Sequence, residues 1–336
     1  LLDHLPLAQN KAWIFNMGLF MLPRIVFLDR DSLPLTLLPL KAKHQWQEYA
    51  NTAAADVAGR LQNAEIAISN KVPITAATII ACPNLKMIAV AATGYNQIDL
   101  AACKARGIRV CNIRDYALSG VPEHALMLML ALRRQLLTYR IDVLAGKWQQ
   151  AQSFCHFSAP IQDLAGSTLV IVGSGALGQA MAGLARALGM HVLFAERKNA
   201  SVTREGYIAF NQALGLADIV SLHCPLNTET RHLIAEAELA LMKNDAVLIN
   251  TARGGLVDEA ALLKALQAGY IGGAGLDVLI EEPPRNGNVL LDIELPNLII
   301  TPHIAWAGRF TMQQLADQLI HNIDAYLAGE PSNTLV

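Results

Sequence analysis

The sequence predicts an α/β protein of two domains, each built on a doubly wound parallel sheet. Three observations carry that expectation. Short apolar runs alternate with stretches of helical period in two successive series along 336 residues. The second series opens with a strand, a glycine turn and a helix, the mark of a Rossmann-type sheet. The chain is 53% hydrophobic and 16% charged, enough apolar material for strands buried on both faces.

Taken in order, residues 1–21 show no clear pattern. The apolar run at 13–22 is too short to span a bilayer, and no small-residue cleavage site follows it. We read residues 1–21 as an N-terminal extension outside the fold. From Arg24 the first series places strands at 25–28, 65–69, 85–92 and 108–111, with a helix at 99–106 closed by Gly107. One long apolar helix is expected over 122–145, ended by Gly146; its lack of a polar face predicts burial between domains or subunits, as in a homodimer. The second series places strands at 168–172, 191–195, 218–223, 246–250, 273–278 and 298–301. A last helix at 310–327 should return to the first sheet. The expected domains are therefore 22–117 with 306–336, discontinuous and flavodoxin-like, and 118–305, Rossmann-type.

Net charge is −2 and no basic stripe appears, which argues against a nucleic-acid partner. The five cysteines (82, 103, 111, 155 and 224) are odd in number and none has metal-ligand spacing. Reduced thiols in a cytoplasmic protein without a structural metal are the expectation.

Three strand ends carry the chemistry. Val247-Leu-Ile-Asn-Thr-Ala runs into Arg253, Gly275-Leu-Asp-Val-Leu-Ile runs to Glu281 and Glu282, and Leu298-Ile-Ile-Thr-Pro runs into His303. Ligands of open α/β sheets sit outside the carboxyl ends of the strands, so a cation, a carboxylate and an imidazole should converge. That set suits a 2-keto or 2-hydroxy acid. Arg253 can fork onto a carboxylate. His303 can exchange a proton with the C2 oxygen, and Glu282 can orient and charge it.

The glycine turn is Gly173-Ser-Gly175-Ala-Leu-Gly178, after Leu169-Val-Ile-Val and before a helical stretch. Gly173 permits the tight turn, Gly175 lets a pyrophosphate approach the backbone, and Gly178 lets helix and strand pack closely. Glu196, at the end of the next strand, can accept from an adenosine ribose 2′-OH and would repel a 2′-phosphate. The expected cofactor is NAD(H), with NADP(H) possible because Arg197 and Lys198 follow directly and could meet a phosphate. His223 and Cys224 read as strand-end packing, with Cys224 and Pro225 under the adenosine.

With these residues in hand, the chain resembles the D-isomer-specific 2-hydroxyacid dehydrogenases from about Arg24 onward. The matching motifs, in order, are Ala92-Thr-Gly94-Tyr-Asn96-Gln-Ile-Asp99, the glycine turn, His223-Cys-Pro225-Leu, Asn250-Thr-Ala-Arg253-Gly254, Gly275-Leu-Asp277-Val, Glu282-Pro283 and Thr301-Pro302-His303-Ile. Val26-Phe-Leu-Asp29-Arg-Asp, Asn70-Lys71-Val and Ala305-Trp306-Ala look most like the glycerate dehydrogenase (hydroxypyruvate reductase) branch.

The resemblance implies that Arg253 binds the substrate carboxylate and carbonyl, His303 is the proton donor and Glu282 its partner. It gives Asp277 the nicotinamide end, Thr251 and Ala252 the adjoining ribose, and Ala176 and Leu177 the pyrophosphate. Thr93 and Gly94 would cradle the substrate carboxylate, and Asn70 and Lys71 would reach its 3-hydroxyl. His124 is a candidate for the same crevice. The reaction implied is reduction of hydroxypyruvate or glyoxylate to D-glycerate or glycolate, and the reverse. Glu282 argues against the formate dehydrogenases of the superfamily, which lack the acid partner. The alternatives are another member, of D-lactate or phosphoglycerate type, or an NAD-sensing binding protein like the corepressors of this architecture.

Overall fold

The computed structural model describes residues 22–336; the extension expected over residues 1–21 lies outside them. The chain forms two compact units. One runs up to Ile113 and takes in Ala316–Val336, and the other is Arg114–Leu315.

The first unit holds five parallel strands: β1 Arg24–Phe27, β2 Gln45–Glu48, β3 Ile66–Ser69, β4 Met87–Val90 and β5 Arg109–Cys111, in the order β2-β1-β3-β4-β5. That is the flavodoxin-like order. Every residue of β3 and β4 is buried, which is why both read as continuous apolar runs. The sequence does not reveal β2. As an edge strand it pairs only with β1, so Gln-Trp-Gln-Glu needs no apolar alternation. The helix Leu100–Ala105 begins where the Asp99 carboxylate accepts the Ala102 amide at 2.9 Å, satisfying an end amide that has no partner inside the helix. The C-terminal segment closes this unit. Leu335 N donates to Val110 O at 2.8 Å, and Asn322 Nδ2 donates to Asn112 O at 3.0 Å.

The second unit holds seven parallel strands: β6 Thr168–Val172, β7 His191–Ala195, β8 Tyr207–Ile208, β9 Ile219–Leu222, β10 Val247–Asn250, β11 Gly273–Leu276 and β12 Leu298–Ile300. Their order is β12-β11-β10-β9-β6-β7-β8, so the winding reverses between β6 and β9. The glycine turn after β6 therefore lies at the switch point, where the fold opens a crevice for a ligand. Only β8, two residues long, was too short to leave a pattern.

One expectation is corrected. The single helix over 122–145 is two, Gly120–Arg133 and Leu136–Leu144, separated where Gln135 takes φ 55°. The Arg133 side chain turns inward and is 5% exposed. Its carbonyl, freed at the break, accepts Gln162 N at 2.9 Å. A tertiary hydrogen bond thus replaces helix continuation. The first helix is not apolar to no purpose: Ala125, Leu128, Met129 and Leu132 pack into a core with Leu169, Ile171, Val247 and Ile249. Among the described residues no helix is long and apolar enough to cross a membrane.

Candidate active site

The carboxyl ends of β10, β11 and β12 lie side by side, with Asn250 in register with Leu276 and Leu276 with Ile300. Adjacent strands are spaced about 4.8 Å apart, so the loops leaving them are neighbours. Arg253 follows the first, Asp277 and Glu282 the second, His303 the third. The first two loops touch through Gly254: a Cβ there would lie 1.9 Å from the Leu279 carbonyl carbon and 2.0 Å from its oxygen. No side chain fits, so a glycine next to Arg253 is a packing requirement. Asn250 clamps the turn. Its Oδ1 accepts the Ala252 amide at 3.0 Å and its Nδ2 donates to Arg253 O at 2.9 Å.

His303 Nδ1 lies 2.6 Å from Glu282 Oε2, and Glu282 Oε1 accepts the Leu279 amide at 2.9 Å. The carboxylate is thus held from the backbone while it holds the imidazole. His303 Nε2 makes no hydrogen bond among the described residues, and the ring keeps 26% exposure. His303 sits at φ 56°, an uncommon conformation for a residue with a Cβ. Asp277 imposes it. This carboxylate, 1% exposed, accepts the Ile304 amide at 2.9 Å, the Ala305 amide at 2.7 Å and the Thr301 hydroxyl at 2.6 Å. His124 Nε2 joins the same group, 2.8 Å from Thr301 Oγ1. Asp277, expected at the nicotinamide end, therefore shapes the loop that presents His303. Leaving the buried Ala305 amide unpaired would cost about 1–3 kcal/mol. Trp306 closes the loop with Nε1 donating to His303 O at 2.9 Å.

The glycine turn behaves as its pattern predicts. Gly173 takes φ 103°, and a Cβ there would lie 2.7 Å from the His223 carbonyl. A Cβ on Gly178 would lie 2.0 Å from Gly173 O, whereas one on Gly175 would meet nothing within 4 Å. The helix Ala176–Ala187 thus starts against open space, with no side chain capping its first amides. Free amides and the helix dipole favour an anion there. The Thr251 hydroxyl is buried with no hydrogen-bond partner among the described residues. An open phosphate cradle and an orphan hydroxyl fit a dinucleotide. Leu177 packs with Tyr116, Ala117, Val121, Ala305 and Trp306, which ties the turn to the His303 loop. Burial pushes the Cys224 thiol up to about 11, so it is neither charged nor nucleophilic at neutral pH. Pro225 next to it is exposed.

Glu196 is engaged more fully than its sequence position suggests. It is 3% exposed, and its two oxygens accept four hydrogen bonds: from Arg197 N and from Arg204 N, Nε and Nη2. Arg204 holds the carboxyl well below the usual range, at about 2. Lys198 is also committed, with Nζ 2.8 Å from Glu238 Oε1. Arg204 carries no periodic signal, since it lies in a loop. Its one clue was a cation between the expected acid and the following strand.

In the first unit the expected substrate residues also gather at strand carboxyl ends. Asp29, following β1, accepts the amides of Asn70 at 3.0 Å and Lys71 at 2.7 Å. Gln97 Nε2 donates to Asn70 O at 2.7 Å. Asn112 Nδ2 donates to Thr93 O and Thr93 Oγ1 to Ile113 O, both at 2.8 Å, which fixes the Thr93-Gly94 turn. Asn112, Arg204 and Tyr116 were not singled out from the sequence, and Asp29 and Thr301 entered only inside motifs, with no role of their own. They act by holding backbone or other side chains, a role no motif advertises.

Comparison with known proteins agrees with this architecture. Residues 126–305 match the model of the D-isomer specific 2-hydroxyacid dehydrogenase NAD binding domain. The chain is 50% identical over 316 residues to a glycerate dehydrogenase of Methylorubrum extorquens, covering 94% of this chain and 99% of that one. Among solved structures it is similar to a D-lactate dehydrogenase from Aquifex aeolicus complexed with NAD and lactic acid, with TM-score 0.78, 27% identity, and coverage of 93% and 99%. It is equally similar to an NADPH-dependent glyoxylate/hydroxypyruvate reductase from Sinorhizobium meliloti in complex with citrate, with TM-score 0.77, 27% identity, and coverage of 94% and 98%. With two parallel sheets, a glycine turn at the switch point and an Arg, a Glu and a His on adjoining strand ends, the chain belongs to the D-isomer-specific 2-hydroxyacid dehydrogenase family.

Proposed function

We propose that this enzyme reduces hydroxypyruvate or glyoxylate to D-glycerate or glycolate, and runs the reverse reaction. The observation that carries the assignment of roles is the His303–Glu282 pair at 2.6 Å, with Nε2 of the imidazole unbonded among the described residues. When bound, the dinucleotide supplies the hydride that reaches C2. His303 Nε2–H hands its proton to the C2 oxygen as negative charge grows there. Glu282 stabilises the imidazolium by opposite charge and fixes the ring through Nδ1. Arg253 forks onto the substrate carboxylate and polarises the carbonyl. Gly173, Gly175, Ala176, Leu177 and Gly178 would hold the pyrophosphate, and Thr251 and Ala252 the nearby ribose. Asn70, Lys71, Thr93 and Gly94 are assigned to substrate on the resemblance alone.

The preference for these two substrates rests on likeness to the glycerate dehydrogenase and to the glyoxylate/hydroxypyruvate reductase. NADH oxidation measured with hydroxypyruvate, glyoxylate, pyruvate and longer 2-keto acids tests it. The highest kcat/KM should fall on hydroxypyruvate or glyoxylate, and a clear preference for pyruvate would overturn the assignment. Arg253→Lys should raise KM for the keto acid at least about tenfold and lower kcat, with NADH affinity unchanged, because a point charge cannot make the planar two-pronged contact.

We also propose a homodimer. Leu136, Ile141, Leu144, Trp148, Phe154 and Phe157 expose 53–90% of their surface within one short stretch of the second unit. An apolar patch of this kind marks a protein contact. A monomer by light scattering at micromolar concentration would refute it. The five free cysteines fit a reducing, cytoplasmic setting.

A further inference from the structure

The sequence makes Glu196 an acceptor for a ribose 2′-OH, but in the structure it has no acceptor left. An ionised carboxylate offers about four acceptor positions. Here all four are filled, three of them by Arg204. The guanidinium lies at the nucleotide end of the site. It stacks on the Tyr207 ring, 3.9 Å from the centroid, and the Tyr207 hydroxyl donates to Ser174 Oγ within the glycine turn at 2.6 Å. Tyr207 itself belongs to β8, paired with the carboxyl end of β7, from which Glu196 emerges. Arg204 is half exposed, and two of its five N–H groups, one on Nε and one on Nη2, are spent on Glu196. The other three make no hydrogen bond among the described residues.

We propose that Arg204 is a specificity-determining residue of the nucleotide site: it neutralises Glu196 and offers its free N–H groups to a 2′-phosphate, so that the enzyme accepts both NADH and NADPH. The repulsion that an unpaired Glu196 would exert on a 2′-phosphate is cancelled by a cation fixed against it. To hold a free 2′-OH, Glu196 must first release one bond to Arg204, which weakens the advantage of the unphosphorylated cofactor. Lys198 is committed to Glu238, and Arg204 is the cation fixed against Glu196. This rests on reading the glycine turn as the dinucleotide site.

Direct binding tests it without turnover. Titration calorimetry with NADH, NADPH, 5′-AMP and adenosine 2′,5′-bisphosphate is run on the wild type, Arg204→Met and Glu196→Gln. In the wild type the two dinucleotides should bind within about tenfold of each other. Arg204→Met should lose about 10- to 100-fold for NADPH and the bisphosphate, while NADH and 5′-AMP hold or tighten. Glu196→Gln should move the ratio the other way, and it keeps the test decisive if Arg204→Met does not fold. An unchanged ratio in both variants, an equal loss for all four ligands, or a wild type that rejects NADPH by more than about 100-fold overturns the proposal. Binding of none of the four by the wild type would instead remove the glycine-turn reading, and the proposal with it.

Discussion

His303 and His223 both follow strands of the same parallel sheet, and the structure gives them opposite characters. His223 comes directly after β9 and continues the ladder, its amide donating to Val172 O at 2.8 Å. Its Nε2 meets Ser221 Oγ at 2.9 Å, and burial pushes its titration down to about 4. His303 stands three residues beyond β12 on a loop folded by Asp277, with a carboxylate on Nδ1 and no partner on Nε2 among the described residues. Position at a strand end does not by itself suit an imidazole to proton transfer. A fixed opposite charge and one ring nitrogen without a partner among the described residues do.

Three substitutions break or sharpen that contrast. The largest effect is expected from His303→Gln, which should lower kcat/KM for the keto acid by about 10²- to 10⁴-fold while NADH still binds. Activity within tenfold of wild type would put the proton donor elsewhere. Next comes Glu282→Gln. Reduction needs the imidazolium, which the carboxylate stabilises and an amide does not. The variant should therefore lose about tenfold in kcat for the keto acid while NADH affinity is unchanged. An unchanged kcat would transfer the role to Glu281 or to no carboxylate. The smallest effect is on stability. The folded state holds His223 neutral down to about pH 4, against an ordinary value of 6.5. Its neutral form is favoured by the fold, so full stability is present above pH 6.5 and is lost as pH falls toward 4. The loss should be roughly 1–3 kcal/mol, at 1.4 kcal/mol per unit of pH. His223→Asn should flatten this slope in urea titrations at pH 7, 5.5 and 4, and an equal slope in both proteins would sink the account.

The strands of both units were legible because burial on two faces demands continuous apolar runs, as in β3, β4 and β10. The glycine turn was legible because Gly173 and Gly178 answer to local geometry that no other residue meets. Arg253, Glu282 and His303 were legible because strand ends direct them to one edge. The edge strand β2 and the two-residue β8 were not, since the first is polar and partly exposed along its whole length and the second is too short to carry a period. The helix break at Gln135 was equally hidden, because the freed Arg133 carbonyl is satisfied by the Gln162 amide, from a separate loop far along the chain.

What the sequence determined by itself is what local periodicity and backbone sterics control: the alternation of strands and helices, the parallel sheets, the glycine turn and the residue types at the strand ends. What only the tertiary structure decided is which groups those residues meet. Glu196 and Glu282 are the same acid at comparable places in one sheet, yet Arg204 and the Arg197 amide occupy every acceptor of the first, while the second keeps one oxygen on the Leu279 amide and the other on His303. Asp277 likewise spends its charge on folding a loop. A carboxylate's role depends on partners brought within 3 Å by the packing of loops. Loops follow no period, so their contacts are set by the folded chain as a whole.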